Sequence, residues 1–319
     1  MSRNLKDILG NLEEPKPERQ LKVVKDEGLE KILKNLFVIF EAAPDLGYSG
    51  EMFELYVTKI IELDVAVDQK LINNILLDIA AFEAGDEFAN RAGPFISALV
   101  HVAYNQNHNN FEINVRHLNT PINWLGTHVI GTEERPLKLS MQGDFGRLCA
   151  LLCKRADITL EGTAYDGFGE SAKYSKVKVF GGVGPNFGAN ADHSEFFIIG
   201  NVVEQYYSTS RHPGGSIGMR AKDSKYKIIG KAGTSCLWEA KRCEAEIIGD
   251  LEDGCALGAE DCTVIIRGKA KANLLASEAK NSVFKCTDRD TLETIRKQAS
   301  TGCRLYLLKG KEEKLFSTT

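Results

Sequence analysis

One glycine recurs along this chain at a spacing that few folds can use. A glycine closing a short apolar-x-apolar-x run stands at Gly143, Gly162, Gly181, Gly200, Gly230, Gly249 and Gly268, in steps of 19, 19, 19, 30, 19 and 19. A further step of 19 lands on Thr287, and Gly310 closes "YLLKG" 23 residues later. Other positions keep the same register. Four residues before each mark stand Leu139, Ile158, Val177, Phe196, Tyr226, Ala245, Val264, Val283 and Tyr306. Two before it stand Met141, Leu160, Val179, Ile198, Ile228, Ile247, Ile266 and Leu308, with Lys285 as the one polar exception. Six after it stand Cys149, Phe168, Phe187, Tyr206, Cys236, Cys255 and Leu274.

A glycine-rich phosphate loop would use one cluster, between a strand and a helix. Here the cluster recurs and no long helical pattern follows it, so that reading fails. A period near 19 with one short strand per repeat is the signature of a β-solenoid. Coils stacked ~4.8 Å apart turn each column into a ladder of like side chains. The spacing predicts eight or nine coils from about Phe111 to Gly310, with Phe187 flanked by Phe168 and Tyr206.

The segment before Asn110 has a different texture. Leu29, Ile32, Leu33, Leu36, Phe37 and Phe40 recur at helical steps. Ser49 and Asp68 are expected to cap two further helices, and Pro94 to sit in the first turn of a fourth. The expected organisation is a flexible arm over 1–20, a helical domain over 21–110 and a solenoid over 111–310. Within the solenoid we expect an insertion at about 201–225 and a helical cap at about 288–303, started by Asp288 or Asp290. Residues 311–319 read as a tail.

Charge divides unevenly. Through Asn110 there are 11 Lys and Arg against 18 Asp and Glu, and beyond it 29 against 26. Neither half carries the basic stripe of a nucleic-acid protein. No apolar run reaches the ~18–20 residues that span a bilayer, and the start lacks a secretory core. The expected compartment is the cytoplasm, with no membrane or nucleic-acid partner and no cofactor.

Eight cysteines include two pairs 19 apart, Cys236/Cys255 and Cys243/Cys262. Adjacent coils would bring each pair within disulfide reach. The first pair shares its column with Phe and Tyr, so the readings are a core ladder, a disulfide or a metal site. The scattered histidines form no ligand pair on one helix or strand. Carboxylates such as Asp166 and Asp192 cannot be set facing each other from sequence. The long coil concentrates Arg211, His212, Gly214, Gly215, Arg220 and Lys222, where cations and backbone amides can gather around an anion or an acidic partner.

The stretches "GTAYDGFG", "GGVGPNFG" and "GKAGTSCL" resemble the G-x-x-G-x-x-x-G coils of a domain found at the C-terminus of the glutamate synthase α-subunit. The same kind of domain makes up much of one of the proteins that form formylmethanofuran dehydrogenase. The resemblance covers roughly residues 137–287. It implies a right-handed parallel β-helix that serves structure and docking, with chemistry on other domains or subunits and no catalytic residue to carry over. The fold class expected is therefore α+β, an N-terminal all-α helical domain followed by a right-handed parallel β-helix. The expected function is a non-catalytic scaffold acting through protein–protein contacts, with homo-oligomers among the arrangements left open. Alternatives are a subunit of a glutamate synthase-like or formylmethanofuran dehydrogenase-like complex, and a stand-alone solenoid enzyme on a polymer or small anion.

Overall fold

The computed structural model of the chain describes residues 27–42, 49–85, 87–202, 217–252, 254–271, 275–310 and 312–319. The arm over 1–20 lies outside the described residues, as do Tyr206, Arg211, His212, Gly214 and Gly215. Among the described residues four α-helices precede the strands: α1 (Glu27–Ala42), α2 (Ser49–Glu62), α3 (Gln69–Asp78) and α4 (Phe88–Asn105). An 11-stranded sheet follows in sequence order. Its strands are β1 (Asn110–Asn114), β2 (Leu137–Phe145), β3 (Ala156–Ala164), β4 (Lys176–Phe180), β5 (Glu195–Ile199), β6 (Lys225–Ile229), β7 (Glu244–Ile248), β8 (Thr263–Ile266), β9 (Val283–Cys286), β10 (Arg304–Lys309) and β11 (Glu312–Thr318). Strands β1 to β10 pair in parallel, each with the next. The chain is a β-solenoid.

The glycine column explains why the register is strict. Gly143 pairs with Gly162, and each later glycine sits against the backbone of the one before. A Cβ on Gly162, Gly181, Gly200, Gly230, Gly249 or Gly268 would overlap the carbonyl oxygen of the glycine one coil earlier. From Gly162 to Gly249 these residues also hold φ between +144° and +151°, a region that L side chains avoid. Two independent reasons, space and dihedral, therefore select glycine at this bend.

Inside, the expected ladders form over most of the solenoid. Ile158, Val177, Phe196, Tyr226, Ala245 and Val264 pair rung by rung and are buried. Three assignments need correction. Leu251 still pairs with Ala270, 19 residues on, but Cys255 pairs with Leu275, 20 on. One extra residue thus lies between Ala270 and Leu275. It moves Phe284 and Cys286, not Val283 and Lys285, into the inward positions, and Leu275 replaces Leu274. Lys285 turns outward and binds Glu313 at 2.8 Å, so the polar exception disappears. In β10, Leu305 rather than Tyr306 stands beside Phe284. Finally, Val183 pairs with Val202 but Phe187 pairs with Ile217. All 11 additional residues of the long coil therefore fall between Val202 and Ile217, and Ile217 takes the rung assigned to Tyr206.

A second ladder, of small polar side chains, runs just before the strands. Ser175, Ser194, Ser224, Cys243, Cys262 and Ser282 are buried and stack at equivalent positions. Ser175 Oγ accepts from Ala156 N–H at 3.2 Å, Ser194 Oγ from Ser175 N–H at 3.2 Å, and Ser224 Oγ from Ser194 N–H at 3.1 Å. Cys262 Sγ accepts from Cys243 N–H at 3.4 Å, and Ser282 Oγ from Cys262 N–H at 3.1 Å. Each of the later members donates to the carbonyl two residues before it, as Ser224 does at 2.8 Å and Cys243 at 3.3 Å. All eight cysteines are free and buried. Serine and cysteine thus do the same job here. Cys243→Ser and Cys262→Ser are expected to change stability by less than ~1 kcal/mol in denaturant unfolding. Ser194→Ala should cost roughly 1–3 kcal/mol, because Ser175 N–H loses its acceptor.

Helix α4 begins at Phe88, so Pro94 lies in its interior rather than in its first turn. Its Gly93 touches the coil so closely that a Cβ would overlap Asn123 O. Ser97 Oγ accepts from Gly126 N–H at 2.8 Å, and Tyr104 OH donates to Arg135 O at 2.6 Å. Asp68 does cap α3, accepting from Leu71 N–H at 2.8 Å. From the same helix Gln69 bonds both backbone groups of Glu112 in β1, at 2.7 and 2.9 Å. Helix and coil side chains bury themselves in one continuous cluster. At the other end, α5 (Arg289–Gln298) starts at Asp288, whose carboxylate accepts from Thr291 N–H at 2.8 Å. Residues expected to be a tail form β11 instead, antiparallel on β10.

Two histidines flank Phe53 where α2 meets α4 and the coil. Its ring lies 5.5 Å from His101, edge-on, and 5.6 Å from His128, stacked. Burial lowers both imidazole pKa values, with Glu54 partly opposing. The unfolded chain therefore takes up these protons more readily than the folded one. Their contribution is fully present above the ordinary value near ~6.5 and is lost as pH falls from there through their lowered folded values. Burial raises Asp166 and Glu170, an effect of opposite sign at lower pH. The melting temperature should fall between about pH 7.5 and about pH 5.5. The double variant His101→Gln/His128→Asn should flatten that fall; an unchanged slope would refute the assignment.

Candidate functional site

A column of left-handed residues shapes one edge of the solenoid. Arg155, Tyr174, His193, Asp223, Arg242, Asp261 and Asn281 all hold φ between +47° and +54°. None is glycine, and each such residue carries a backbone cost of ~1–2 kcal/mol. Stacking holds them there. Tyr174 N–H donates to Asp192 O at 3.0 Å, His193 N–H to Lys222 O at 3.1 Å, and Asp223 N–H to Lys241 O at 3.1 Å. The bend throws their side chains outward in a file. The Arg155 guanidinium lies 5.3 Å over the Tyr174 ring, and that ring stacks on His193 at 5.1 Å.

Two of the residues singled out in the long coil belong to this neighbourhood, on the regular coil after the 11-residue excess. Arg220 Nε binds Glu239 at 2.7 Å. Lys222 pairs through its backbone with Asp192 on one side and Lys241 on the other. Arg220 and Lys222 thus stand on a regular coil, while Arg211, His212, Gly214 and Gly215 lie outside the described residues. Beside Lys222, ligand atoms of Asp192, His193 and Asp223 lie within 4.8 Å of one another. His193 Nδ1–H donates to Asp192 Oδ1 at 2.8 Å, while Arg242 grips both oxygens of Asp223 at 2.7 Å. That grip holds the Asp223 pKa below its ordinary value. A cation here would have to displace a bidentate guanidinium. The cluster works as an ion-pair network.

Asp166 and Asp192 are not partners. Asp166 accepts from Asn186 Nδ2 at 2.8 Å and acts on Glu170, whose carboxyl accepts from Asn190 at 3.3 Å. Burial raises both carboxyl pKa values, and the Asp166 charge raises Glu170 further. Such a pair can hold a proton above the usual carboxylate range.

The outer face of β3 to β8 carries the other candidate surface. Alternation along each strand turns three columns outward. The first is Asp157, Lys176, Glu195, Lys225, Glu244 and Thr263. In the second, Lys178, Phe197, Lys227 and Glu246 follow one another. The third runs Glu161, Phe180, Ile199, Ile229 and Ile248. Phe180 is 44% exposed and Ile199 43%. A shallow concavity of about 430 Å³ lies on this face, lined by Lys178, Phe197, Lys227 and Glu246 among others. Four apolar side chains in consecutive rungs, facing out of a rigid sheet, are more than scattered surface residues. Neither the spacing of the histidines nor the glycine register points to this face. It becomes visible only once inward and outward positions are separated.

No protein-family model matches the chain, and no curated protein or solved structure is similar to it.

Proposed function

We infer that the chain is a non-catalytic docking scaffold acting through protein–protein contacts on the outer sheet face. One observation carries this reading: the apolar column Phe180–Ile199–Ile229–Ile248 faces outward from a sheet whose rungs are locked by the glycine stack. Rigid placement lowers the ordering cost of binding, and exposed aromatic and branched side chains supply the anchors. The coil is right-handed in this reading, because parallel crossover connections almost always are. The helices cover the β1 end, where Gln69 occupies backbone groups of an otherwise open edge. Free, buried thiols suit a reducing compartment such as the cytoplasm. No helix among the described residues is long and apolar enough to cross a membrane. The coil resemblance extends the proposal to an assembly of the glutamate synthase kind, in which other chains hold the chemistry.

Affinity capture from the native host with wild type and with Ile199→Asp/Ile229→Asp tests the reading. A defined set of proteins should be lost with the double variant while its melting temperature is retained. Equal recovery would overturn it. A second reading, acid–base chemistry on a polymer or small anion, rests on the raised carboxyls of Asp166 and Glu170. Turnover of an anionic polysaccharide that Glu170→Gln abolishes would favour it.

A further inference from the structure

We propose that the outer face of β3 to β8 binds a second copy of this chain about a two-fold axis parallel to the strands. The proposal rests on the docking reading and names its occupant. Such an axis sets each column against itself in reversed rung order. With the centre between β5 and β6, β5 faces the partner's β6, β4 faces β7 and β3 faces β8.

Every charged position on this face then meets a compatible one. In the first column Lys176 faces Glu244 and Glu195 faces Lys225. In the second, Lys178 faces Glu246, and Phe197 faces the cation Lys227. In the third, Ile199 faces Ile229 and Phe180 faces Ile248, with Glu161 at one end and Arg267, just past β8, at the other. Opposite charges meet beside an apolar column that runs along one edge of the face.

Registers centred half a rung to either side fail. Centring the axis on β5 sets Lys176 against Lys225 and Lys178 against Lys227. Centring it on β6 sets Glu195 against Glu244. An axis along the solenoid sets the charged first column against the apolar third. The order of charges thus disfavours these three alternatives. Within each chain Lys227 already lies 2.9 Å from Glu246, and Arg267 lies 2.8 Å from it. A second copy adds cations to these carboxylates and extends pairs into networks, the setting in which surface ion pairs contribute.

The face is small. Six strands ~4.8 Å apart and five residues long cover roughly 450 Å² per copy. That lies near the lower bound for specific interfaces, so the dimer is weak and reversible, half-formed in the micromolar range.

Sedimentation velocity on the purified full chain, across a micromolar concentration series, tests this directly. Wild type should shift from monomer to dimer. Lys176→Glu alone places like charges opposite Glu244 twice per dimer, and Glu244→Lys alone does the same with Lys176. Each should dimerise at least about tenfold more weakly. An equimolar mixture of the two variants restores both pairs and should recover the wild-type shift, although neither chain has changed internally. Ile199→Asp should remain monomeric with an unchanged melting temperature. A monomeric wild type throughout the series, or a mixture no better than its components, would overturn the proposal. Should wild type stay monomeric while Ile199→Asp/Ile229→Asp still loses host proteins, docking stands with a different occupant.

Discussion

Gly181→Ala is expected to abolish the native solenoid or lower its stability by roughly 4–5 kcal/mol or more, whereas Gly182→Ala should be nearly neutral. The two residues are adjacent, so composition and exposure cannot explain such a contrast. At Gly181 an added Cβ overlaps the carbonyl oxygen of Gly162, and the backbone holds φ +149°. Relief would require β4 to lift away from β3, which breaks the pairing from Lys176 to Phe180. At Gly182 the nearest atom to an added Cβ is Asn201 O at 3.6 Å, an ordinary contact. The smaller freedom of alanine in the unfolded chain can even stabilise that variant by about 0.4–1 kcal/mol. Urea unfolding of both variants checks the prediction. Similar midpoints would mean that the coils do not meet at the glycine column.

Phe187→Ala should cost roughly 3–5 kcal/mol, the range of large core truncations. The ring is fully buried. It stacks on Phe168 at 6.2 Å and meets Phe196 edge-on at 5.2 Å, and Phe196 in turn stacks on Tyr226 at 4.9 Å. Ile217 forms the rung above. Four rings from successive coils therefore share one packed unit, and removing its centre leaves a void bounded by rigid rungs that cannot close over it. Phe187→Leu should recover most of the loss. A cost below ~1 kcal/mol for the alanine variant would mean that the ring does not pack there.

The register is legible because the feature that sets it is a single residue type. Glycine alone fits a bend where backbone meets backbone, so its spacing reports the coil directly. The serine–cysteine ladder leaves a trace of equal regularity, at Ser175, Ser194, Ser224, Cys243, Cys262 and Ser282. In sequence, serine and cysteine look like different chemistry, and only burial and a shared pair of hydrogen bonds make them equivalent. The left-handed column leaves no trace. Arginine, tyrosine, histidine and aspartate hold it with neither glycine nor a shared property, since the hydrogen bonds of neighbouring coils impose the conformation. The last rungs depart by one residue from the 19-residue count because the shift arises between Ala270 and Leu275, where the adjacent leucines Leu274 and Leu275 suit the apolar column equally well. Proximity along the chain places Arg220 and Lys222 with the insertion, although Ile217 has already rejoined the ladder before them.

Two departures from the 19-residue step, the one between β5 and β6 and the one between β8 and β9, share a location. The 11-residue excess lies between Val202 and Ile217, and the single extra residue between Ala270 and Leu275, each at the same corner of its coil. That corner acts as a splice point, where cargo length is uncoupled from scaffold geometry. A doubling of such a segment adds only ~0.6 kcal/mol of closure entropy. One residue added inside a strand would instead turn every later side chain of that rung to the opposite face. Grafted sequences of very different length can therefore be carried at this corner while every rung, and the surface built from those rungs, keeps its place.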